Sequence, residues 1–149
     1  MIARVVILIF LLTGCSRSAK FCQVCQREEC TGLAFRVTLE DGKRVETCCP
    51  RCGLHYLEAN QVKARRMEAT DYATGKWIEA KDATYVEGSD VSHCASAETK
   101  RDQFGCCYFK GYDRCLPSLI AFAKLETATT FQRDHGGKFV QLNQTGDTQ

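Results

Sequence analysis

Cysteine restricts this chain more than any other residue type. Eleven of its 149 residues are cysteine. The ten that follow Cys15 fall into two clusters: Cys22, Cys25, Cys30, Cys48, Cys49 and Cys52, then Cys94, Cys106, Cys107 and Cys115. So much sulfur goes either into disulfides or onto metal ions. In the first cluster the spacing favours metal. Cys22-Gln-Val-Cys25 and Cys49-Pro-Arg-Cys52-Gly53 are two knuckles, tight turns in which both sulfurs face one ion and backbone N–H groups point at them. Together they supply four thiolates in tetrahedral array, which suits Zn(II) and other soft or borderline ions. His55, three residues after Cys52, is a substitute ligand. The adjacent pair Cys48-Cys49 speaks against a plain disulfide scaffold, because its side chains cannot both serve one ordinary bridge. Thiol–disulfide exchange at Cys22 and Cys25 is a third reading, but no thioredoxin-like strand–helix context follows them.

The compartment follows from the start of the chain. Arg4 is followed by the apolar run Val5 to Leu12, too short for a membrane-spanning helix and laid out as a secretory signal. It ends in Leu12-Thr-Gly-Cys15, which resembles the lipobox of bacterial lipoproteins. That resemblance implies that Cys15 is lipidated as the mature N-terminus and that the protein is anchored to a membrane by acyl chains. Ser16 after the cysteine implies the outer membrane, facing the periplasm. An exported chain is also where disulfides persist, so that alternative stays open for both clusters.

Charge excludes little and one thing usefully. Lys plus Arg is 20 and Asp plus Glu is 18. The signs are interspersed without a basic stripe, so no nucleic-acid partner is expected.

The rest of the pattern is α+β. Phe35 to Leu39 alternates apolar and polar residues as a half-buried strand, Asp41-Gly42 signals a type I′ hairpin, and Lys43 to Thr47 returns as the partner strand. Leu54, Leu57 and Val62 suggest a short amphipathic helix. Lys76 to Ala80 and Ala83 to Val86 are two strand-like runs with a turn at Lys81-Asp82. The polar stretch from Asp90 to Arg114 is an elaborate loop. The spacing predicts a helix from an Ser118 N-cap to Phe131, with Leu119, Phe122, Ala123, Ala128 and Phe131 on one face and Gly136-Gly137 as its stop. Lys138 to Leu142 is a last strand. Each half thus runs hairpin, Cys-Pro turn, helix, with Cys49-Pro50 and Cys115-Leu-Pro117 at matching places. The expected division is a leader over 1–14, a tether over 15–20, a cysteine-rich module over 21–70, a second module over 71–142 and a polar tail over 143–149.

Asp71-Tyr72, Trp77-Ile78, Tyr85-Val86, Gly88-Ser89, Ala121-Phe122, Phe131 and His135-Gly136-Gly137, in this order and spacing, resemble the scaffold of the NosL family. These are accessory lipoproteins of nitrous oxide reductase. Cys22-Gln-Val-Cys25 matches the family's early Cys-x-x-Cys. The resemblance implies two related ββαβ modules, a topology shared with organomercury lyase. It also implies a lipoprotein that binds Cu(I) and supports copper delivery to a multicopper reductase. The family's methionine after that motif is replaced by Gln26-Arg27, and its second thioether position falls nearest His93-Cys94. The knuckle at Cys49 and Cys52 is additional to the family pattern.

The expected site is therefore Cys22, Cys25, Cys49 and Cys52 around one Cu(I) or Zn(II) ion. His93, Cys94, Cys106, Cys107 and Cys115 form either a second soft site or disulfides pinning a loop. No Ser/His/acid group or phosphate loop appears, so no enzyme activity is expected. The functional alternatives are a metal-delivery protein, a Zn- or disulfide-stabilised interaction module, and a thiol–disulfide oxidoreductase.

Overall fold

The structure is a computed structural model and describes residues 20–29, 32–95, 97–109 and 111–142. The leader, Cys15, Cys30 and the tail from 143 lie outside these. Among the described residues no helix is long and apolar enough to cross a membrane.

The alternating run becomes strand β1 (Phe35–Leu39), with Phe35, Val37 and Leu39 buried and Arg36 and Thr38 half-buried. Strand β2 (Arg44–Thr47) pairs with it antiparallel. The loop between them is not the type I′ turn expected from Asp41-Gly42. That turn needs positive φ at both central residues, and here Gly42 alone in the loop has it, at 85°. The Gly42 N–H donates to the Leu39 carbonyl at 3.0 Å and the Leu39 N–H to that of Lys43 at 2.9 Å. The result is a three-residue loop closed by a glycine bulge. The Asp41 carboxylate accepts the Lys43 N–H at 2.8 Å and so stabilises the longer loop.

Helix α1 (Pro50–Asn60) starts one turn before the Leu54 expected from apolar spacing. Proline at the first helical position has the right φ and lacks only an N–H that would have no partner there. The buried residues of α1 are all in its first turn, Pro50 to Gly53. That turn lies against Phe35: a Cβ on Gly53 would sit 2.2 Å from the ring. Gly53→Ala should therefore lower stability by about 1–3 kcal/mol through overpacking, read as a fall in the urea midpoint. The helix ends at Gln61 in the left-handed conformation. Strand β3 (Ala64–Thr70) returns to the free edge of β1.

Strand β4 (Trp77–Glu79) and strand β5 (Thr84–Glu87) do not form the expected hairpin. β4 pairs with β3, while β5 is the centre of a second sheet. Residues Ala80–Asp82 form a 3₁₀ turn, and the Tyr85 hydroxyl donates to the Ala80 carbonyl at 2.9 Å, so the chain crosses from one sheet to the other instead of reversing. The polar stretch holds a small hairpin of β6 (Thr99–Arg101) and β7 (Cys107–Phe109).

The helix expected over 118–131 is divided. Leu119–Phe122 form strand β8, and helix α2 runs over Leu125–His135. Every residue of β8 is buried, with Leu119 and Ala121 in one apolar core and Ile120 and Phe122 in the other. A strand covered on both faces has no alternation to reveal it, and an apolar run of that kind cannot be told from a helix by period. Ser118 is not a helix cap; its hydroxyl pairs with that of Ser89 at 2.9 Å. Gly136 does end α2, with φ at 72°. Strand β9 (Lys138–Val140) completes the sheet.

The sheet orders are β2-β1-β3-β4 and β8-β5-β9. In each module the first strand is central, the second lies on one side, and the strand after the helix lies on the other. Both are ββαβ units with the same topology, the second carrying the β6–β7 hairpin as an insertion. The proposed match of Cys49-Pro50 with Cys115-Leu-Pro117 fails: the former leads into a helix, the latter into strand β8.

Candidate metal centre

Three segments converge on one sulfur cluster. The first is Cys22 to Cys25, at the tip of a tiny hairpin joined by the Phe21–Glu28 bridge. There Cys22 N–H donates to the Arg27 carbonyl at 2.8 Å and Gln26 N–H to that of Cys22 at 3.0 Å. Gln26 adopts the left-handed conformation, φ 60°, which closes the turn. The Val24 N–H points at Cys22 Sγ, 3.4 Å away, as a knuckle requires. The second segment is Cys48 to Cys52, where β2 gives way to α1. Proline at the helix start fixes this turn and brings Cys48 and Cys52, four residues apart, onto one side. The third is Cys115, in the loop before β8.

Cys48 is the hub. Its Sγ lies 3.4 Å from that of Cys25, 3.6 Å from Cys52, 3.7 Å from Cys115 and 3.8 Å from Cys49. Cys52 and Cys115 are 3.7 Å apart. Cys22, Cys25, Cys48, Cys49, Cys52 and Cys115 are all free thiols. Two sets of four have all their sulfurs within 4.8 Å of one another: Cys22, Cys25, Cys48 and Cys52, and Cys48, Cys49, Cys52 and Cys115. A zinc–sulfur length of about 2.3 Å puts tetrahedral sulfurs about 3.8 Å apart. The donor set is all sulfur and its spacing is that of a tetrahedral site, so the residues fit a soft or borderline ion. Five of the six are buried and Cys25 is half-buried, so Cys25 marks the approach from solvent.

Two arginines clamp the knuckle to the Cys115 loop in opposite directions. Arg27 makes a two-pronged bridge to Asp113 at 2.8 and 2.9 Å and donates to the Cys94 carbonyl at 2.6 Å. Its guanidinium also lies 3.5 Å from Cys115 Sγ. Arg114 reaches back to the Val24 carbonyl at 2.9 Å. Asp113 in turn accepts the Cys115 N–H at 2.8 Å, which orients that sulfur. A third arginine, Arg51, sits between Cys49 and Cys52 and ties α1 to the Pro117 carbonyl at 3.2 Å and to Glu87 on β5.

Six sulfurs this close cannot all be thiolates without a cation. Hydrogen bonding to Cys115 and Cys22 pushes the Cys48 and Cys52 thiols up, so the two central residues keep their protons. The sulfurs that receive those bonds are pushed down, Cys22 by Cys48 and Cys52 and Cys115 chiefly by Cys48; Cys49 is also pushed down, by hydrogen bonds from Cys115, Cys48 and Cys52. Burial pushes Cys25 up. Metal must displace the protons on Cys25, Cys48 and Cys52, so affinity should fall as pH falls. Titrating metal-loaded protein with acid against a chromogenic chelator should show release well above the acid unfolding transition; retention of the ion until the protein unfolds would contradict this.

The expected set of Cys22, Cys25, Cys49 and Cys52 is neither of the two sets of four: Cys48 completes the group with Cys22, Cys25 and Cys52, and Cys49 belongs to the group with Cys115. The remaining expected site residues are placed as follows. Cys94 is disulfide-bonded and is buried beside the cluster in the same core. His93 is exposed and stacks on Tyr72, with ring centroids 6.3 Å apart. Cys106 is exposed, and the half-buried Cys107 donates to the His135 carbonyl at 3.5 Å. His55 lies 3.9 Å from Glu58 on the outer part of α1. Cys115 thus joins the first cluster and not its sequence neighbours. Cys48 had no role from sequence, although its i, i+4 relation to Cys52 across a helix start was the signal for it.

The fold of two ββαβ modules is NosL-like. The chain is similar to a solved structure, the copper chaperone NosL from Shewanella denitrificans, with a TM-score of 0.62, 15% identity, and coverage of 87% of this chain and 92% of that one. The likeness is one of fold. No protein-family model matches the sequence, and no curated protein matches it.

Proposed function

We propose that this protein is a membrane-anchored accessory factor that binds Cu(I) and passes it to an extracytoplasmic copper enzyme. The observation that carries the reading is the buried six-sulfur cluster with one accessible member, Cys25. Soft thiolates suit Cu(I), and a half-buried terminal ligand gives an acceptor thiol or thioether a place to begin ligand exchange. The fold it shares with a copper chaperone supports the same reading. Lipidation at Cys15 would hold the protein at the envelope surface where such a client is loaded, and a multicopper reductase is the client the family resemblance suggests. The cluster itself needs no catalytic group for this task; it holds and releases an ion.

A second reading has its own support. Cys48, Cys49, Cys52 and Cys115 are all buried and have the dimensions of a structural zinc site. In that case the metal stabilises a module that binds a partner protein. The two are separated by anaerobic isolation of the full chain, metal analysis, and competition with a Cu(I)-selective chelator. Exchangeable Cu(I) supports delivery. Zinc that Cu(I) cannot displace overturns it in favour of the structural module.

A further inference from the structure

The two sets of four sulfurs are not separate. They share Cys48 and Cys52, whose sulfurs are 3.6 Å apart. We propose that the six thiolates hold two metal ions, with Cys48 and Cys52 bridging them, Cys22 and Cys25 terminal on one ion, and Cys49 and Cys115 terminal on the other. The inference rests on the reading that the cluster binds a soft metal, and adds how many ions it takes and by which sulfurs.

The geometry is that of two tetrahedra sharing an edge. Metal–sulfur lengths of about 2.3 Å across the shared edge put the two ions about 3 Å apart. A single tetrahedral ion leaves two sulfurs over, whichever set it chooses. If it takes the first set, Cys49 and Cys115 remain, 4% and 5% exposed; if the second, Cys22 remains, fully buried, with Cys25 beside it. Either remainder leaves at least one buried thiol packed against the cluster with no cation to serve: both Cys49 and Cys115 in the first case, Cys22 in the second. The edge-shared arrangement uses all six. It also assigns the places by origin: the knuckle supplies both terminal ligands of one ion, and the helix start with the Cys115 loop supplies those of the other.

Six thiolates with two divalent ions leave a net charge of −2, and with two Cu(I) ions −4. The Val24 N–H 3.4 Å from Cys22 Sγ and the Asp113-paired Arg27 guanidinium 3.5 Å from Cys115 Sγ donate to sulfur, one at each end of the cluster.

The test uses the full chain, isolated anaerobically, stripped of metal and titrated with ¹¹³Cd²⁺, a spectroscopic substitute for zinc. Native mass spectrometry should show two cadmium ions per chain at saturation. The ¹¹³Cd spectrum should show two all-sulfur resonances, each split by coupling to the other through the shared thiolates. In the Cys22→Ser/Cys25→Ser variant one ion and one unsplit resonance should remain. One ion per chain in the unaltered protein, or two resonances without mutual splitting, overturns the bridged pair while leaving metal binding intact. No bound cadmium at all overturns metal binding as well.

Discussion

Replacing Cys48 or Cys52 with serine is expected to abolish most metal binding, lowering affinity by more than about 100-fold, the upper end of what loss of an outer-shell partner costs. These two sulfurs belong to both sets of four, so no choice of remaining cysteines rebuilds a complete one. Cys48 is also the hub, with four sulfurs within 3.8 Å. Replacing Cys106 or Cys107 should leave affinity unchanged, because those thiols are held at the β6–β7 hairpin, with Cys107 bonded to the His135 carbonyl. Chelator competition on the four variants measures the contrast. Equal losses across all four would contradict the convergence of the first cluster with Cys115.

Arg51→Ala should be the most damaging change outside the sulfurs. The Arg51 and Glu87 side chains are 7% and 8% exposed and form a direct ion pair. Breaking a buried pair by removing one partner costs roughly 3–5 kcal/mol, because a charge is left without compensation. Lys138 at 3.2 Å remains beside Glu87, but its side chain is 68% exposed, which places the expected loss near the lower end, about 3 kcal/mol. The change also frees the Pro117 carbonyl, and with it the loop that presents Cys115. Stability and metal affinity should therefore fall together, seen as a lower urea midpoint and a weaker chelator competition. The pH dependence has a definite sign. Burial pushes the Glu87 carboxyl up, but hydrogen bonds from Arg51 and Lys138 outweigh it and hold it below the ordinary 4.5. A depressed carboxyl contributes stability above its ordinary value and loses it as pH falls through the folded one. The native protein should lose this contribution below about pH 4.5, and the variant should lose less over the same range.

Local signals in the sequence carried the first module well. The alternation from Phe35 to Leu39 and the paired Cys-x-x-Cys spacings depend on neighbours within a few residues, and such signals survive without knowledge of the tertiary fold. The second module was harder because its decisive strand, β8, lies between two cores. Tyr85, Leu119 and Ala121 face one and Val86, Ile120 and Phe122 the other, so the run shows no polar side. The separation of β4 from β5 depends on which sheet edge is vacant, and nothing within Lys76 to Val86 encodes that.

The site shows the same division. The knuckle at Cys22 and Cys25 and the pair at Cys49 and Cys52 were legible as turns. Cys115, which completes the second set of four, lies 63 positions beyond Cys52 and reaches it only because the loop before β8 folds over the start of α1. Grouping it with Cys106 and Cys107 followed proximity in sequence. The arginine clamps from Arg27 to Asp113 and from Arg114 to Val24 show what overrides that proximity: charge-assisted bonds spanning 86 and 90 positions.

The central claim is that sulfurs from the knuckle, the start of α1 and the Cys115 loop surround metal together. X-ray absorption at the zinc edge of the anaerobically zinc-loaded full chain tests it most directly. The account predicts a first shell of sulfur alone, four per zinc, at about 2.3 Å. A shell containing nitrogen or oxygen ligands, or a protein that takes up no zinc because these cysteines are paired as disulfides, would contradict it.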